Sequence, residues 1–314
     1  MTTRERIEDA ASRILYPILL ALPIAGWAVA WKRFGIDPGL ALQIVYWSNL
    51  VFLLGVERIL PFEKAWLKND GQLPNDLIYS IAGVGVNSIT TALALSAIAW
   101  GIEHFQPLVS LNVWPNDWPF AVQLLIGIPL WDLGNHLAHR WAHKVPLLWR
   151  FHAVHHSAPR LSIINTGRFH PFDVVKSVLI GAPIPVLLGV PAEVSMWYAA
   201  VNVFTGQLTH SNVRLRCGIF NAVFSTPNLH RWHHSPHQVE TDTNFGEATI
   251  LWDRLFGTYF NPDRPPPRNV GLGKSVRVSR KLLEAVLQPL APRGHRASDA
   301  SLIRELEPGA AGLR

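Results

Sequence analysis

His139-Arg140-Trp141-Ala142-His143 and, after Pro146, Leu148-Trp149-Arg150-Phe151-His152-Ala153-Val154-His155-His156 set how the rest of this chain is read. A third run, His230-Arg231-Trp232-His233-His234, repeats the HxxHH spacing. Eight of the fourteen histidines fall in these three short runs. Residues three and four apart share a helix face, so each run can aim two or three ring nitrogens at one point. Alone, HxxxH is an ordinary pair of interfacial histidines. Two copies of HxxHH beside it make metal binding the expectation, because imidazole is a good ligand for iron, zinc and copper. Eight nitrogens are too many for one ion and suit two.

Around these runs the composition is that of a membrane protein. Of 314 residues, 49% are hydrophobic and only 16% charged, against about a quarter charged in ordinary soluble domains. Thirteen tryptophans fit lipid–water interfaces. Four apolar runs approach the roughly 20 residues that cross a bilayer: Ile14 to Trp31, Leu40 to Val56, Leu77 to Trp100, and Trp118 to Trp131, which continues into the first histidine run. A fifth apolar region, Val174 to Val203, is interrupted by Pro183, Pro185, Gly189 and Pro191, and suits two half-membrane helices or a re-entrant hairpin. The first run lacks a small-residue cleavage site, and acids dilute its basic lead, so it reads as a span rather than a signal peptide.

Loop charge gives an orientation. Arg4, Arg6 and Arg13 precede the first run; Arg58, Lys64 and Lys68 lie between the second and third; residues 101–117 hold no Lys or Arg. The balance favours a cytoplasmic N-terminus, and four spans return the histidines to that side. The formal net charge of +6 then belongs to such loops, and no basic–aromatic motif points to nucleic acid. The expected fold is an all-α integral membrane helical bundle with a cytoplasmic histidine-rich helical cap. Its expected divisions are an N-terminal transmembrane hairpin (1–76), a catalytic domain (77–262) and a tail (263–314) with an interfacial helix over Val276 to Leu287. The expected location is the cell inner membrane.

A lone cysteine, Cys217, leaves no disulfide framework and no thiolate site. Structural zinc takes four ligands, often with Cys, and catalytic zinc three. So many histidines suit a pair of irons better, and the few carboxylates set the site apart from Glu-rich di-iron bundles. No dinucleotide fingerprint, flavin site, haem motif or iron–sulfur pattern is visible, so electrons must come from a separate ferredoxin or cytochrome with its reductase. A basic face beside the histidines would suit an acidic carrier.

The sequence resembles the fatty acid hydroxylase/sterol desaturase superfamily of membrane histidine-box oxygenases. The resemblance runs through Asp132…His139-Arg140-x-x-His143, Leu148 to Ser157, Arg168-x-His170-Pro171, His210-Ser211-Asn212, Thr226-Pro227-x-x-His230-x-x-His233-His234, Asp242 to Gly246 and Leu251 to Thr258. It implies two iron ions held by His139, His143, His152, His155, His156, His230, His233 and His234, with His210 and then His170 as further ligands. It implies O2 as co-substrate and hydroxylation or desaturation of a lipid. Ligating histidines pass their second N–H to carboxylates or carbonyls, and Asp132, Asp242, Asn244 and Asp253 are the expected acceptors. His136 stands where many relatives have Tyr, either as an extra ligand or as a pocket residue. His237 reads as solvated; His104 and His295 lie apart. Two rival readings are a zinc-dependent membrane hydrolase and a non-catalytic, metal-stapled membrane protein.

Overall fold

In the computed structural model, residues 3–105, 113–273 and 276–291 are described. His295 and the chain after residue 291 lie outside them. Twelve α-helices follow one another: α1 (Thr3–Lys32), α2 (Pro38–Ile59), α3 (Leu73–Phe105), α4 (Phe120–Lys144), α5 (Pro146–His156), α6 (Pro171–Gly181), α7 (Pro183–Leu187), α8 (Ala192–His210), α9 (Pro227–His233), α10 (Gln238–Thr241), α11 (Leu251–Phe256) and α12 (Leu282–Leu287). Among the described residues there is no strand, only two isolated bridges, Pro61 with Val213 and Phe224 with Thr249.

Three helices are long and apolar enough to cross a membrane: Asp9–Lys32, Pro38–Ile59 and Leu73–Ala97. Their outer faces expose Val51, Ile89 and Leu93, as lipid contact requires. Four spans were expected. α4 differs because its second half carries Asp132, His136, His139, Arg140 and His143, leaving only Phe120 to Trp131 apolar. That half covers about 18 Å at 1.5 Å per residue.

Even so, α4 runs back toward the end where α1 begins. At that end Arg216 pairs with Asp9 (2.6 Å), Arg160 with Asp70 (3.0 Å) and Arg168 with Asp76 (2.6 Å). At the opposite end Lys32 pairs with Glu193 (2.7 Å) and Trp27 packs edge-on against Trp197. The four helices therefore alternate, and the start of α1 shares an end with His139 and His143. The expected proline-broken hairpin is α6–α7 descending and α8 returning, with the turn at Gly189 (φ 81°) and Pro191. Its close fit to α4 depends on glycine: a Cβ on Gly134 would stand 2.5 Å from the Gly181 carbonyl oxygen.

One carboxylate ties the membrane helices to the cap. Buried Glu57, near the end of α2, accepts from Ile163 N–H (2.7 Å), Asn212 N–H (2.8 Å) and the Ser162 hydroxyl (3.0 Å). Asn49 donates to Gln207 on α8 (2.6 Å) in the same interface. The tail helix is shorter than expected. Only Leu282–Leu287 is helical; Arg280 before it is held by its carbonyl to Asn75 (2.8 Å). Ala285 is buried against the body while Leu283 and Leu287 face outward.

Candidate metal centre

Nine buried imidazoles meet at the cap. His139, His143, His152, His156 and His233 form one group, and His155, His210, His230 and His234 a second. Within each group the facing nitrogens lie within 4.8 Å of one another. The two groups abut: His156 of the first stacks on His234 of the second with centroids 4.3 Å apart.

The HxxHH runs do not each serve one point, as their spacing suggested. On α5, His152 and His156 join the first group and His155 the second. On α9 the roles reverse: His230 and His234 join the second group and His233 the first. Helical geometry explains it. Positions i and i+4 differ by about 40° around the axis, whereas i+3 falls about 60° to the other side of i. Each HxxHH helix therefore gives a pair to one group and a single ring to the other. α4 completes the first group with its own i, i+4 pair, and α8 completes the second with its last residue.

Backbone and carboxylate acceptors orient the first group. The Nδ1–H of His139 donates to the Phe245 carbonyl, that of His233 to the Thr243 carbonyl and that of His152 to Asp173, each at 2.8 Å. His143 Nδ1 lies 3.5 Å from Asp242. A carbonyl can only accept, so Nδ1 holds the proton and Nε2 keeps its lone pair. The Nε2 atoms of all five rings are buried and have no hydrogen-bond partner. In the second group, His230 Nε2 lies 2.9 Å from His210 Nε2 and 3.1 Å from His234 Nε2. Three nitrogens that close, and five buried Nε2 atoms without a partner in one group, fit cations. Burial pushes the basicity of all nine rings down, and neighbouring imidazoles lower most of them further; His210 and His233 fall to about 3. They are therefore neutral at physiological pH, the state that ligates metal. No carboxylate belongs to either group among the described residues, which suits iron, zinc or copper over magnesium or calcium.

The remaining expected residues fall elsewhere. His170 stands apart: its Nδ1 accepts Phe172 N–H (3.0 Å) at the start of α6, and its Nε2 faces the Val286 carbonyl (3.0 Å). Both nitrogens are engaged, so the ring has no lone pair for a metal. His136 is buried outside both groups, between Phe245 and Phe256, with Asp253 at 3.6 Å. His237 is exposed before α10, and His104 stacks on Trp100 near the far end. Of the four expected acceptors, only Asp242 nears a ligating ring. Asp132 receives Ala248 N–H, Thr249 N–H and the Thr249 hydroxyl. Asp253 receives Phe245 N–H (2.8 Å) and Gly246 N–H (2.7 Å). Asn244, at φ 53°, bridges Leu229 and Phe260. These three position the 244–249 segment, and so act on His139 through Phe245. Asp173 and Asn165 were missed. Asp173 is buried, pairs with Lys176 (2.7 Å) as well as His152, and is held well below the usual carboxylate range by those two partners despite its burial. Its signal was an acid in the first turn of a helix opened by Pro171.

Helices long and apolar enough to cross a membrane and two abutting groups of buried imidazoles define a membrane protein with histidine clusters that could hold metal. Residues 124–258 match the fatty acid hydroxylase family model. The ornithine lipid hydroxylase OlsE of Rhizobium tropici is 38% identical over 93% of this chain and 87% of its own length. The chain belongs to the fatty acid hydroxylase family. An alkylglycerol monooxygenase of Danio rerio is 28% identical over 62% of this chain but only 43% of its own length. A Delta(7)-sterol 5(6)-desaturase of Eremothecium gossypii is 24% identical over 71% of this chain and 63% of its own. No solved structure matches.

Proposed function

We propose that this protein is an O2-dependent membrane lipid hydroxylase that holds two iron ions, one in each histidine group, and acts on an aminoacyl lipid of the ornithine-lipid type. The observation that carries this reading is the pair of abutting, carboxylate-free imidazole groups with their lone pairs turned inward. His139, His143, His152, His156 and His233 would hold one ion; His155, His210, His230 and His234 the other. Bound iron would supply O2 activation and the oxidising power for an unactivated C–H bond. The substrate class is supported by the name and coverage of the Rhizobium relative. The reaction balances as lipid C–H, O2, two electrons and two protons giving the alcohol and water, the electrons coming from a separate one-electron carrier.

The chain's own part is geometry and exclusion. Asp173, Asp242 and the Phe245 and Thr243 carbonyls fix ring tautomers and directions before metal arrives. Burial of all nine rings keeps bulk water from the oxidant and keeps each ring a ligand rather than a cation. The basic residues cluster at the histidine end (Arg13, Arg58, Lys64, Lys68, Lys144, Arg160, Arg216), while Lys32 and Arg33 mark the other, which supports a cytoplasmic histidine end in an inner membrane.

The test is iron-loaded protein in nanodiscs, given ornithine lipid, reduced ferredoxin and isotopically labelled O2, followed by mass spectrometry. One labelled oxygen in the lipid is expected. Product formed without O2, or with oxygen from water, would assign a hydrolase. Full metal and no turnover across a membrane lipid extract would leave only a structural staple.

A further inference from the structure

The corner joining α4 to α5 sits directly over the first histidine group, and it is open. Trp141, Val145 and Leu147 are exposed there at 45%, 40% and 55%. Solitary apolar side chains are unremarkable; three around one corner, beside Lys144 and Arg150, form a patch of the aromatic-and-arginine kind that binds protein partners. Lys144 leans on Asp242 (2.6 Å), while Arg150 has no acidic partner among the described residues. The Arg150 Nε and the Trp149 indole N–H are buried donors with no acceptor among the described residues. Beneath the patch, the half-buried Trp149 ring touches three ligating rings: His143 at 5.0 Å, His156 at 5.4 Å and His152 at 6.2 Å between centroids. Trp149 thus joins this corner to the first group.

We infer that the α4–α5 corner is the docking face for an acidic one-electron carrier protein, and that Trp149 is the positioning residue through which each electron passes to the His143/His156 side of the centre. The inference rests on the oxygenase reading, since only a redox centre needs a carrier. Charge selects the occupant: Lys144 and Arg150 rim the patch, and an acidic surface complements them. Each docking event oxidises the carrier's centre by one electron and reduces the metal site by one. Two such events per turnover supply the two electrons of the hydroxylation.

Affinity of an acidic [2Fe–2S] ferredoxin for the protein in nanodiscs tests this directly, using zinc-loaded protein so that no turnover intervenes. Arg150→Glu, at a half-buried position, and Leu147→Asp, at an exposed one, should each weaken binding about tenfold at low salt, and the Arg150 effect should shrink as salt rises. Arg254→Glu makes the same change of net charge on exposed α11, away from the corner, and should leave affinity at the wild-type value. Equal weakening by Arg254→Glu, or unchanged affinity in Arg150→Glu, would overturn the docking face. So would loss of nanodisc association with intact ferredoxin affinity, which would give the corner to the bilayer. In iron-loaded protein, Trp149→Leu should lose most of the stopped-flow rate of ferredoxin oxidation with iron content retained, and Trp149→Phe should recover much of it. Wild-type rates in Trp149→Leu would remove Trp149 from the route. Turnover of the same iron-loaded protein reports separately on the oxygenase reading.

Discussion

The two histidine groups share α5 and α9 yet are supported differently. In the first, three Nδ1–H groups have acceptors at 2.8 Å, one of them the Asp173 carboxylate, and a fourth lies near Asp242. In the second, the Nδ1 atoms of His155, His230 and His234 are buried without a partner, and His210 reaches Asn165 only at 3.5 Å. An acceptor behind an imidazole fixes its direction and raises its basicity as a ligand. The first group is thus a preorganised, anion-backed cradle; the second is a cluster of rings held by one another and by packing, with no carboxylate behind them. One centre can in this way hold one ion firmly and let the other change its surroundings.

The largest effect should come from removing a ring. His143→Ala and His155→Ala should each lower turnover by roughly three orders of magnitude or more, because ligands of one centre act as a unit. They should differ in metal content. His155→Ala should keep the firmly held ion, and His143→Ala should not. Metal analysis after gentle chelation gives the comparison its sharpest form: wild-type protein should lose one ion well before the other, and simultaneous loss of both would erase the distinction drawn here.

Next comes the anion behind the first group. Asp173→Asn should lower metal affinity or turnover about 10- to 100-fold, the usual cost of removing a ligand's carboxylate partner. Asn165→Ala, touching the second group at a distance too long for a firm bond, should cost far less at the metal. Isothermal titration of metal-free protein would show both.

A smaller and broader effect concerns pH. In the metal-free protein the rings have folded pKa values below their ordinary 6.5, with His210 and His233 near 3. The unfolded chain therefore takes up more protons, and stability should fall as pH drops from about 6.5 toward 4. Glu247, pushed up to about 7, and Asp132, pushed up to about 6, act with the opposite sign, favouring the folded chain as pH falls. The depressed histidines outnumber the raised acids, so the net slope should follow the histidines. A melting temperature unchanged between pH 7 and pH 5 would contradict this balance. The smallest effect should be His170→Ala, which removes a helix-start acceptor and the contact to Val286 at a cost of about 1 kcal/mol, with metal content intact.

Much of this was readable from spacing. HxxxH and HxxHH named eight of the nine rings that meet in the two groups because helical periodicity brings those positions together, and His210 followed from its place at the end of an apolar run. The division into five and four was not readable, since it depends on how α5 and α9 face each other across the pocket. His170 was misjudged for a related reason: an imidazole before proline can cap a helix as well as ligate, and only the position of Val286 settles which. Two of the strongest supports, the Phe245 and Thr243 carbonyls, belong to the backbone and leave no mark in composition. Asp132, Asn244 and Asp253 were visible as polar residues in an apolar setting, but they act on the loop that carries those carbonyls. The membrane helices were legible from hydropathy, and α4 fell short because its own second half serves the site.

Glu57 carries a practical consequence. Its three hydrogen bonds reach Ser162 and Ile163, which lead to Asn165, and Asn212, two residues beyond His210. A truncated chain beginning at α3 would strip those N–H groups of their acceptor and expose the Gln207 face of α8. The histidine cap is therefore poorly suited to expression as a free soluble fragment. The same linkage makes a correctly inserted first hairpin a precondition for an assembled histidine pocket.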